Sequence, residues 1–297
     1  MISPAKINLG LDILFKRPDN YHEIKSIFIR MDWGDEIEFV PNSSHQFILE
    51  SENKIKGNKR LLFDAVSETG DLSKNILAKT YKVLCDITGN KPGITARLMK
   101  QIPPGGGLGG GSSNAAALIR YFIKDQTRLL ENEFLKTISR IGADIPFFLQ
   151  NSHCLVGGIG EKLSPIKLHQ GLGILAIPEE SVNTSMLYGK LKKPLQKEGI
   201  REPWDKLDEK ITDALEKGNW DFLSGQLKND FEKIVFQDNP GLEDIKLKFL
   251  EFGAAYASMT GSGSCLYAIC QDFRSRDFVL NKMKIRFPEL NLILFEF

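Results

Sequence analysis

The sequence predicts a protein of mixed helices and strands that is divided into two domains. Its 297 residues are enough for one large or two ordinary domains. Segments of alternating apolar residues, which favour strands, occur along the chain together with segments of helical apolar spacing. The pattern changes near residue 161, after which a buried strand is followed by three helical segments. We therefore expect an N-terminal domain of residues 1–161 and a C-terminal domain of residues 162–297.

The N-terminal domain is predicted to open with strands. The segment AKINLGLDIL alternates and places one set of apolar residues on one side: Ile7, Leu9, Leu11 and Ile13. A turn at residues 17–20 leads into two short strands around a turn at Gly34-Asp35. Residues 42–72 are polar and irregular, so surface loops with strand fragments are expected there.

Helices, a strand and a hairpin are predicted in the rest of this domain. Apolar spacing predicts a helix in SKNILAKTYKVLCDITG, with Ser73 or Asn75 as its N-cap and Gly89 at its end. The strand GITARLMKQI leads into a run of glycines, and a helix follows over about residues 113–124. Another helix covers about 131–141, and CLVGGIGEKLSPI favours a hairpin.

The C-terminal domain is predicted to start with the buried strand GLGILAIP. Helical segments then cover about residues 205–217, 220–234 and 241–252. The segment YASMTGSGSCLYAIC indicates a strand, a glycine turn and a second strand. A helix at about 275–286 and the strand LNLILFEF close the chain.

The composition is typical of a globular protein and excludes several classes of function. Hydrophobic residues make up 42% of the chain, charged residues 26%, and the net charge is +1, so neither nucleic acid nor a membrane surface is an expected partner. Lys6 and Asp12 interrupt the first apolar segment, which therefore does not resemble a signal peptide. The four cysteines form no CxxC pair, so no metal site is expected. We expect instead a reduced, cytoplasmic protein with unpaired cysteines in its core.

The glycine run is the most informative feature of the sequence. Six of the seven residues from Gly105 to Gly111 are glycine, and they lie between a predicted strand and the start of a predicted helix. Such a turn lets several backbone N–H groups approach one ligand, and the helix start adds positive potential. Residues 87–124 also contain three Lys and two Arg but no Asp or Glu. This segment therefore favours a phosphate ligand.

Other interpretations of the glycine run fit less well. Ser112 occupies the position at which a Walker A loop has lysine, so the run is not a P-loop. Gly105, Gly107 and Gly110 satisfy GxGxxG, but no strand ending in an acidic residue follows about twenty residues later, as in a dinucleotide site. A flexible linker is the structural alternative, although Pro103-Pro104 stiffens the entry to the run.

Three segments together resemble the GHMP kinases, a family of small-molecule kinases. PPGGGLGGGSSNAAAL is similar to the signature loop of the family, and SPAKINLGLDI and SMTGSGSCLYAI match its N-terminal and C-terminal motifs in the expected order. The resemblance covers essentially the whole chain. It implies an α+β fold of two domains: an N-terminal, ATP-binding domain like the second domain of ribosomal protein S5, and a ferredoxin-like C-terminal domain on the substrate side.

The finer pattern is similar to one branch of this family. SPAKINLGLDILFKRPDNYHEI, GGGLGGGSSNAA and GADIPFFL together resemble kinases of the non-mevalonate isoprenoid pathway. The resemblance implies ATP-dependent phosphorylation of the 2-hydroxyl of a methylerythritol that carries a cytidine diphosphate group. The expected partner is therefore this small molecule, and the chain is expected to be a monomer or a weak homodimer.

Two residues are candidates for catalysis. The resemblance implies that Asp144, in GADIPFF, is the general base for the substrate hydroxyl; by sequence alone it is equally a helix N-cap or a turn residue. Lys6 lies on an alternating strand, where a lysine is usually solvated. The resemblance implies instead that Lys6 points into the site near Asp144, orients the hydroxyl and offsets negative charge in the transition state.

Four residues are candidates for substrate binding. Asn8 shares the strand face of Lys6 and is placed to hydrogen-bond the substrate. The resemblance implies that Tyr21 stacks on the cytosine base and that His22 bonds its edge; the alternative is a core tyrosine and a surface histidine. Thr184 matches a pocket threonine of the family through a looser surrounding pattern.

The candidate ATP-binding residues centre on the glycine run. Asn75 and Lys100 are further candidates, with a helix N-cap and an exposed strand residue as the respective alternatives. Mg²⁺ is expected as a cofactor because it bridges anionic phosphates, with a hydroxyl of the loop's serines as one ligand. The loop itself is expected to enclose the ATP phosphates with Pro103, Pro104, Gly105, Gly106, Gly107, Leu108, Gly109, Gly110, Gly111, Ser112 and Ser113.

Several alternatives remain at this point. Thr260-Gly261-Ser262-Gly263 alone indicates a tight hairpin, whereas the resemblance implies that it completes the pocket. Another GHMP kinase, such as a homoserine or mevalonate kinase, would keep the glycine run without needing Tyr21 and His22. Two further functions are possible: a nucleotide-binding dehydrogenase and a non-catalytic sensor that keeps the pocket. The presence of Lys6 and Asp144 argues against the sensor.

Overall fold

The computed structural model describes residues 1–56, 74–125, 127–182, 184–191 and 206–297. Its strands are β1 (Ile2–Lys16), β2 (His22–Pro41), β3 (Phe47–Asn53), β4 (Ile94–Lys100), β5 (Cys154–Gly157), β6 (Lys162–Pro165), β7 (Leu172–Ile177), β8 (Tyr256–Met259), β9 (Leu266–Cys270) and β10 (Asn291–Glu296). Its α-helices are α1 (Ile76–Thr88), α2 (Gly110–Phe122), α3 (Asn132–Ser139), α4 (Ile145–Leu149), α5 (Thr184–Lys190), α6 (Glu209–Lys217), α7 (Trp220–Gln226), α8 (Glu232–Asp238), α9 (Pro240–Glu251) and α10 (Phe273–Arg286).

The chain forms two compact units, each assembled from separate segments. The first unit contains Met1–Ala5, Trp33–Pro104 and Gly109–Asn151, and the second contains Lys6–Asp32, Gly105–Leu108 and Ser152–Phe297. β1 and β2 therefore contribute to both units, and the glycine run is divided between them, with Gly105–Leu108 in the second unit and residues 109–111 in the first. These units are assembled from separate segments of the chain, whereas the domains predicted from the sequence, 1–161 and 162–297, are continuous. The predicted domain division stays a prediction.

The first unit is built on strands β2, β3 and β4 and on helices α1 to α4. β4 pairs antiparallel with β2 and parallel with β3. α1 begins after Asn75, whose side chain accepts the Leu77 N–H, and ends at Gly89 with φ of 67°. The predicted helix and both ends are thus confirmed, with Asn75 as the cap, while Ser73 lies outside the described residues. α1 packs against α2, and α2 packs against α4.

The predicted turn at Gly34-Asp35 was wrong, because β2 continues through it as one strand of 20 residues. A Cβ atom at Gly34 would lie 2.1 Å from the carbonyl oxygen of Ser3. Glycine is therefore required here by the close approach of the β1 backbone and not by a change of chain direction.

Two predicted helices have different bounds. α2 starts at Gly110, inside the glycine run, and not near residue 113. The helix predicted over 220–234 is two helices, α7 and α8, because the chain between them pairs with β1. There Leu11 N–H donates to the Lys228 carbonyl, and Asp230 N–H donates to the Leu11 carbonyl.

The second unit contains a four-stranded antiparallel sheet in the order β10-β7-β9-β8. Along the chain, β7 is followed by helices, the β8-β9 hairpin, α10 and β10, which is the order of a ferredoxin-like fold. α9 and α10 pack on this sheet around fully buried side chains that include Ile174, Leu266 and Val279. The β5-β6 hairpin and the turn at residues 17–20 also form as predicted.

The short helices α4 and α5 were not predicted from the sequence. Among the helices of the described residues, none combines the length and the apolar character needed to span a bilayer.

Candidate functional site

The glycine run adopts a conformation that side chains strongly disfavour. Gly105, Gly107 and Gly109 have φ of 69°, 75° and 70°, in the left-handed region that glycine enters without steric cost. Among the residues that the structure describes, none places an atom within 4 Å of a Cβ atom built at Gly105. Within the described part of the chain, the backbone at Gly105 is therefore open on the side where a side chain would lie, and the run leads directly into α2.

The start of α2 presents unpaired backbone donors. Gly109 caps the helix without a side-chain hydrogen bond, and the first turn contains no acidic residue. The first intrahelical bond runs from Ser113 N–H to the Gly109 carbonyl at 2.9 Å. The N–H groups of Gly110, Gly111 and Ser112 thus have no partner inside the helix, and the helix dipole adds positive potential there. This set of donors fits the phosphate chain of ATP.

Contacts within the second unit hold the tip of the loop. Lys6 N–H donates to the Leu108 carbonyl at 3.0 Å, and the Thr260 hydroxyl lies 3.3 Å from the Gly107 carbonyl. A Cβ atom at Gly107 would lie 2.2 Å from the Thr260 carbonyl oxygen. The glycine at 107 is therefore required by packing as well as by its backbone angle.

Lys6 and Asn8 are buried side by side on β1, with exposed fractions of 4% and 2%. Lys6 Nζ donates to Asn8 Oδ1 at 2.6 Å and lies 4.5 Å from the centre of the Phe28 ring. Asn8 Nδ2 donates to Ser26 Oγ at 3.0 Å. The alternative of a solvated lysine was wrong, and the predicted shared face of Lys6 and Asn8 is confirmed.

The Thr260-Gly261-Ser262-Gly263 turn joins β8 to β9, as the sequence predicted. The buried Thr260 hydroxyl accepts the Asn8 N–H at 3.1 Å. Asn229 Nδ2 donates to the carbonyls of Met259 and Gly261, both at 2.8 Å. Asn229 was missed by the sequence analysis. Its signal is the Asn-Asp pair inside the segment predicted as one helix, since both residues favour helix ends and turns over helix interiors.

Asp144 occupies the N-cap position of α4 but makes no side-chain capping bond. It is half-buried and precedes a helix whose five residues are all buried. A Cβ atom at Gly142 would lie 3.0 Å from Ser112 Oγ, so the segment leading to Asp144 runs beside the start of α2. Asp144 belongs to the first unit together with this helix start, whereas Lys6 belongs to the second unit.

The side chains of the two additional candidates for ATP binding, Asn75 and Lys100, form hydrogen bonds with other residues of the chain. Asn75 caps α1, as its alternative predicted. Lys100 is buried, and its Nζ lies 2.5 Å from Asp35 Oδ2, so the alternative of an exposed strand lysine was wrong. Burial lowers the pKa of Lys100, and the Asp35 carboxylate opposes that shift. Roles of Asn75 and Lys100 toward a nucleotide stay a prediction.

The two serines of the loop differ in accessibility. Ser113 is buried, and its hydroxyl accepts a hydrogen bond from Ser3 at 2.7 Å. Ser112 is half-buried and therefore has the more accessible hydroxyl. Within the described residues, no three or more His, Cys, Asp or Glu side chains are grouped so as to bind a metal.

The predicted cytosine-binding pair is divided between surface and interior. Tyr21 is 59% exposed, whereas the half-buried His22 ring stacks on Tyr188 at 4.8 Å with 24° between planes. The core tyrosine of the alternative interpretation was therefore wrong, whereas the histidine is partly accessible. Thr184 begins α5, and its hydroxyl lies 2.6 Å from Ser262 Oγ in the glycine turn. Tyr188 was missed because α5 was not predicted.

Family comparisons cover both parts of the chain. Residues 75–152 match the family described as GHMP kinases N terminal domain, and residues 209–289 match GHMP kinases C terminal. A protein of Leptospira interrogans named 4-diphosphocytidyl-2-C-methyl-D-erythritol kinase is 44% identical over 297 residues, which is 100% of both chains. The Leptospira biflexa protein of the same name is 44% identical over 100% of this chain and 98% of its own.

Solved structures confirm the predicted fold. A crystal structure of 4-(cytidine 5'-diphospho)-2C-methyl-D-erythritol kinase matches with a TM-score of 0.72 at 24% identity, over 100% of this chain and 98% of that one. A crystal structure of L. major mevalonate kinase in complex with R-mevalonate also matches, with a TM-score of 0.66 at 14% identity, over 99% of this chain and 94% of that one. The chain therefore belongs to the GHMP kinases, and within them it groups with the relatives named 4-diphosphocytidyl-2-C-methyl-D-erythritol kinase.

Proposed function

We propose that this chain transfers the γ-phosphate of ATP to the 2-hydroxyl of 4-diphosphocytidyl-2-C-methyl-D-erythritol, in the non-mevalonate isoprenoid pathway. The observation that carries this proposal is the 44% identity, over the full length of both chains, to a relative of that name. The same fold in mevalonate kinase shows that the fold alone does not select the acceptor.

The glycine loop supports the ATP half of the reaction. Its positive-φ glycines and the start of α2 supply backbone donors for the phosphates, and the open space at Gly105 leaves room for them. Mg²⁺ bound with the nucleotide neutralises charge between its phosphates. Ser112 is the loop hydroxyl that we assign to this ion, because the Ser113 hydroxyl is buried against Ser3.

Lys6 and Asp144 are proposed to act on the acceptor hydroxyl. The hydroxyl oxygen forms a bond to the γ-phosphorus as the bond to the leaving ADP oxygen breaks, and the Asp144 carboxylate takes the hydroxyl proton. Lys6 orients the hydroxyl and offsets negative charge on the transferred group. Its position against Asn8 and the Phe28 ring fixes the ammonium without exposing it to bulk water.

The assignment of Asp144 is tested by Asp144→Asn, which keeps the shape of the side chain and removes its basicity. Turnover is expected to fall by about 10²-fold or more, while the affinity for an ATP analogue stays within about twofold. Asp86→Asn, at an exposed position on α1, is the matched control and should keep full turnover. Near-normal turnover of Asp144→Asn would remove the general-base role.

Recognition of the cytidine group is proposed for Tyr21 and His22, with Asn8 and Thr184 contacting the rest of the substrate. Tyr21 is exposed and offers a free ring face for stacking, while stacking on Tyr188 fixes the plane of the His22 ring. Tyr21→Ala is expected to raise the KM for the cytidyl substrate by about tenfold, whereas Tyr21→Phe keeps the ring and should change it little. An unchanged KM in Tyr21→Ala would refute the stacking role.

The acceptor is tested directly by measuring ATP consumption with three alcohols. The cytidyl substrate is expected to be phosphorylated, and homoserine and mevalonate are expected to be inactive. Turnover of homoserine or mevalonate without turnover of the cytidyl substrate would assign the chain to the alternative, another GHMP small-molecule kinase.

We further propose that the chain acts in the cytoplasm as a monomer or weak homodimer, without nucleic acid or membrane partners. None of the cysteines at positions 85, 154, 265 and 270 forms a disulfide, which suits a reducing compartment. Sedimentation at several protein concentrations tests the assembly, and a concentration-independent larger oligomer would contradict it.

A further inference from the structure

Asp35 is a fully buried carboxylate that accepts hydrogen bonds from four groups. Its Oδ1 accepts the backbone N–H groups of Gln101 and Ile102, both at 2.8 Å. Its Oδ2 accepts Lys100 Nζ at 2.5 Å and Asn114 Nδ2 at 2.9 Å. Hydrogen bonds to an ionised acceptor are stronger than neutral ones, and they compensate the loss of water around this charge.

These donors lie on both sides of the glycine run. Gln101 and Ile102 are the last residues before Pro103, and Asn114 lies in the first turns of α2. One carboxylate therefore joins the end of β4 to the start of the helix whose N–H groups face the proposed phosphate site. The spacing between the two ends of the loop is thereby set in the first unit.

Asp35 also places a positive charge at the helix start. A Cβ atom at Gly110 would lie 3.0 Å from Lys100 Nζ and 2.8 Å from Ile102 Cγ2. The ammonium held by Asp35 thus lies directly against the first residue of α2, and only glycine fits between them. Without Asp35, the buried Lys100 would lose the carboxylate that compensates its desolvation.

We propose that Asp35 is a positioning residue for ATP binding: it fixes both ends of the phosphate loop and holds Lys100 against Gly110. This inference rests on the proposed function, in which the loop binds the ATP phosphates. An amide cannot replace the carboxylate, since all four partners are donors and an asparagine would direct its own Nδ2 at one of them.

The test is the affinity of the full chain for a non-hydrolysable ATP analogue with Mg²⁺, measured by calorimetry without acceptor. Asp35→Asn is expected to weaken this affinity by about tenfold or more. Cytidine diphosphate binding, measured in parallel, is expected to change by less than about twofold, because its proposed ligands Tyr21 and His22 lie in the second unit. The matched control is Glu36→Gln at the next, exposed position of β2, which should leave both affinities unchanged.

Asn114→Ala is the second variant, because it removes one donor to Asp35 together with a buried Oδ1 for which the described residues supply no hydrogen-bond partner. This variant is expected to keep the fold and to lower the affinity for the ATP analogue by about threefold or more. An unchanged analogue affinity in either folded variant, or an equal loss for both nucleotides, would overturn the positioning role. If the unmutated chain bound no ATP analogue, the proposed function itself would fail, which is a separate outcome.

Discussion

Replacement of Gly107 by alanine tests two reasons for glycine in the loop: the positive φ angle and the close packing against another segment. At φ of 75°, an alanine costs about 1–2 kcal/mol relative to glycine. The new methyl would also lie 2.2 Å from the Thr260 carbonyl oxygen and 2.9 Å from its carbonyl carbon. Because both atoms are backbone, relief requires a shift of the chain, which adds about 1–3 kcal/mol. The expected loss for Gly107→Ala is therefore about 2–5 kcal/mol in the free energy of unfolding.

Gly105→Ala is the matched control for this prediction. Its φ of 69° carries the same conformational cost, but no atom of the described residues lies within 4 Å of the added methyl, so the expected loss is only about 1–2 kcal/mol. Urea unfolding followed by circular dichroism gives both values. Equal losses in the two variants would refute the packing argument. Gly105→Ala should instead raise the KM for ATP, because its methyl occupies space that we assign to the phosphates.

Three further predictions concern the second unit and the cysteines. Asn229→Ala leaves the carbonyls of Met259 and Gly261 without their donor and should lower the free energy of unfolding by about 2 kcal/mol; unchanged urea denaturation would contradict this. Burial lowers the pKa of His153, so the unfolded chain binds the proton first and stability should fall as the pH drops through about 6.5. His153→Asn should reduce that fall in pH-dependent unfolding, and an identical pH profile would refute it. Cys85 is half-buried while the other three cysteines are buried, so mass spectrometry should find Cys85 alkylated first, and equally fast labelling of a buried cysteine would contradict this.

Features of the fold that depend on neighbouring residues could be predicted from the sequence. Asn75 and Gly89 mark the ends of α1 because capping and left-handed termination involve only adjacent backbone. The turn predicted at Gly34 was wrong because glycine is required there by a distant segment, the β1 backbone at Ser3. The break between α7 and α8 has the same origin, since Leu11 of β1 pairs with the intervening residues.

The candidate site shows the same division. The glycine run and its surrounding charges are contiguous in sequence, so a loop suited to phosphate could be proposed from the sequence alone, and its function stays a prediction. Asp35 could not, because its role comes from donors that lie 65 to 79 positions away along the chain. A lone Asp after Gly is typical of a turn, and only the packing of β2 beside β4 turns it into a buried anchor.

The glycines of the loop illustrate why a repeated residue type does not imply a repeated role. Gly105 faces open space, Gly107 is pressed against the Thr260 backbone, and Gly110 leaves room for Lys100 and Ile102. The sequence does not distinguish these three positions. An alanine methyl would enter the space that we assign to a ligand at Gly105, the Thr260 backbone at Gly107 and a buried ammonium at Gly110. Thr260 contacts the loop at Gly107, and Asp35 binds the residues on either side of the run. If the loop binds phosphate as we propose, it therefore has little conformational freedom left to lose on binding. The shape of the glycine run therefore follows from the left-handed φ angles that glycine adopts and from these contacts on either side of it.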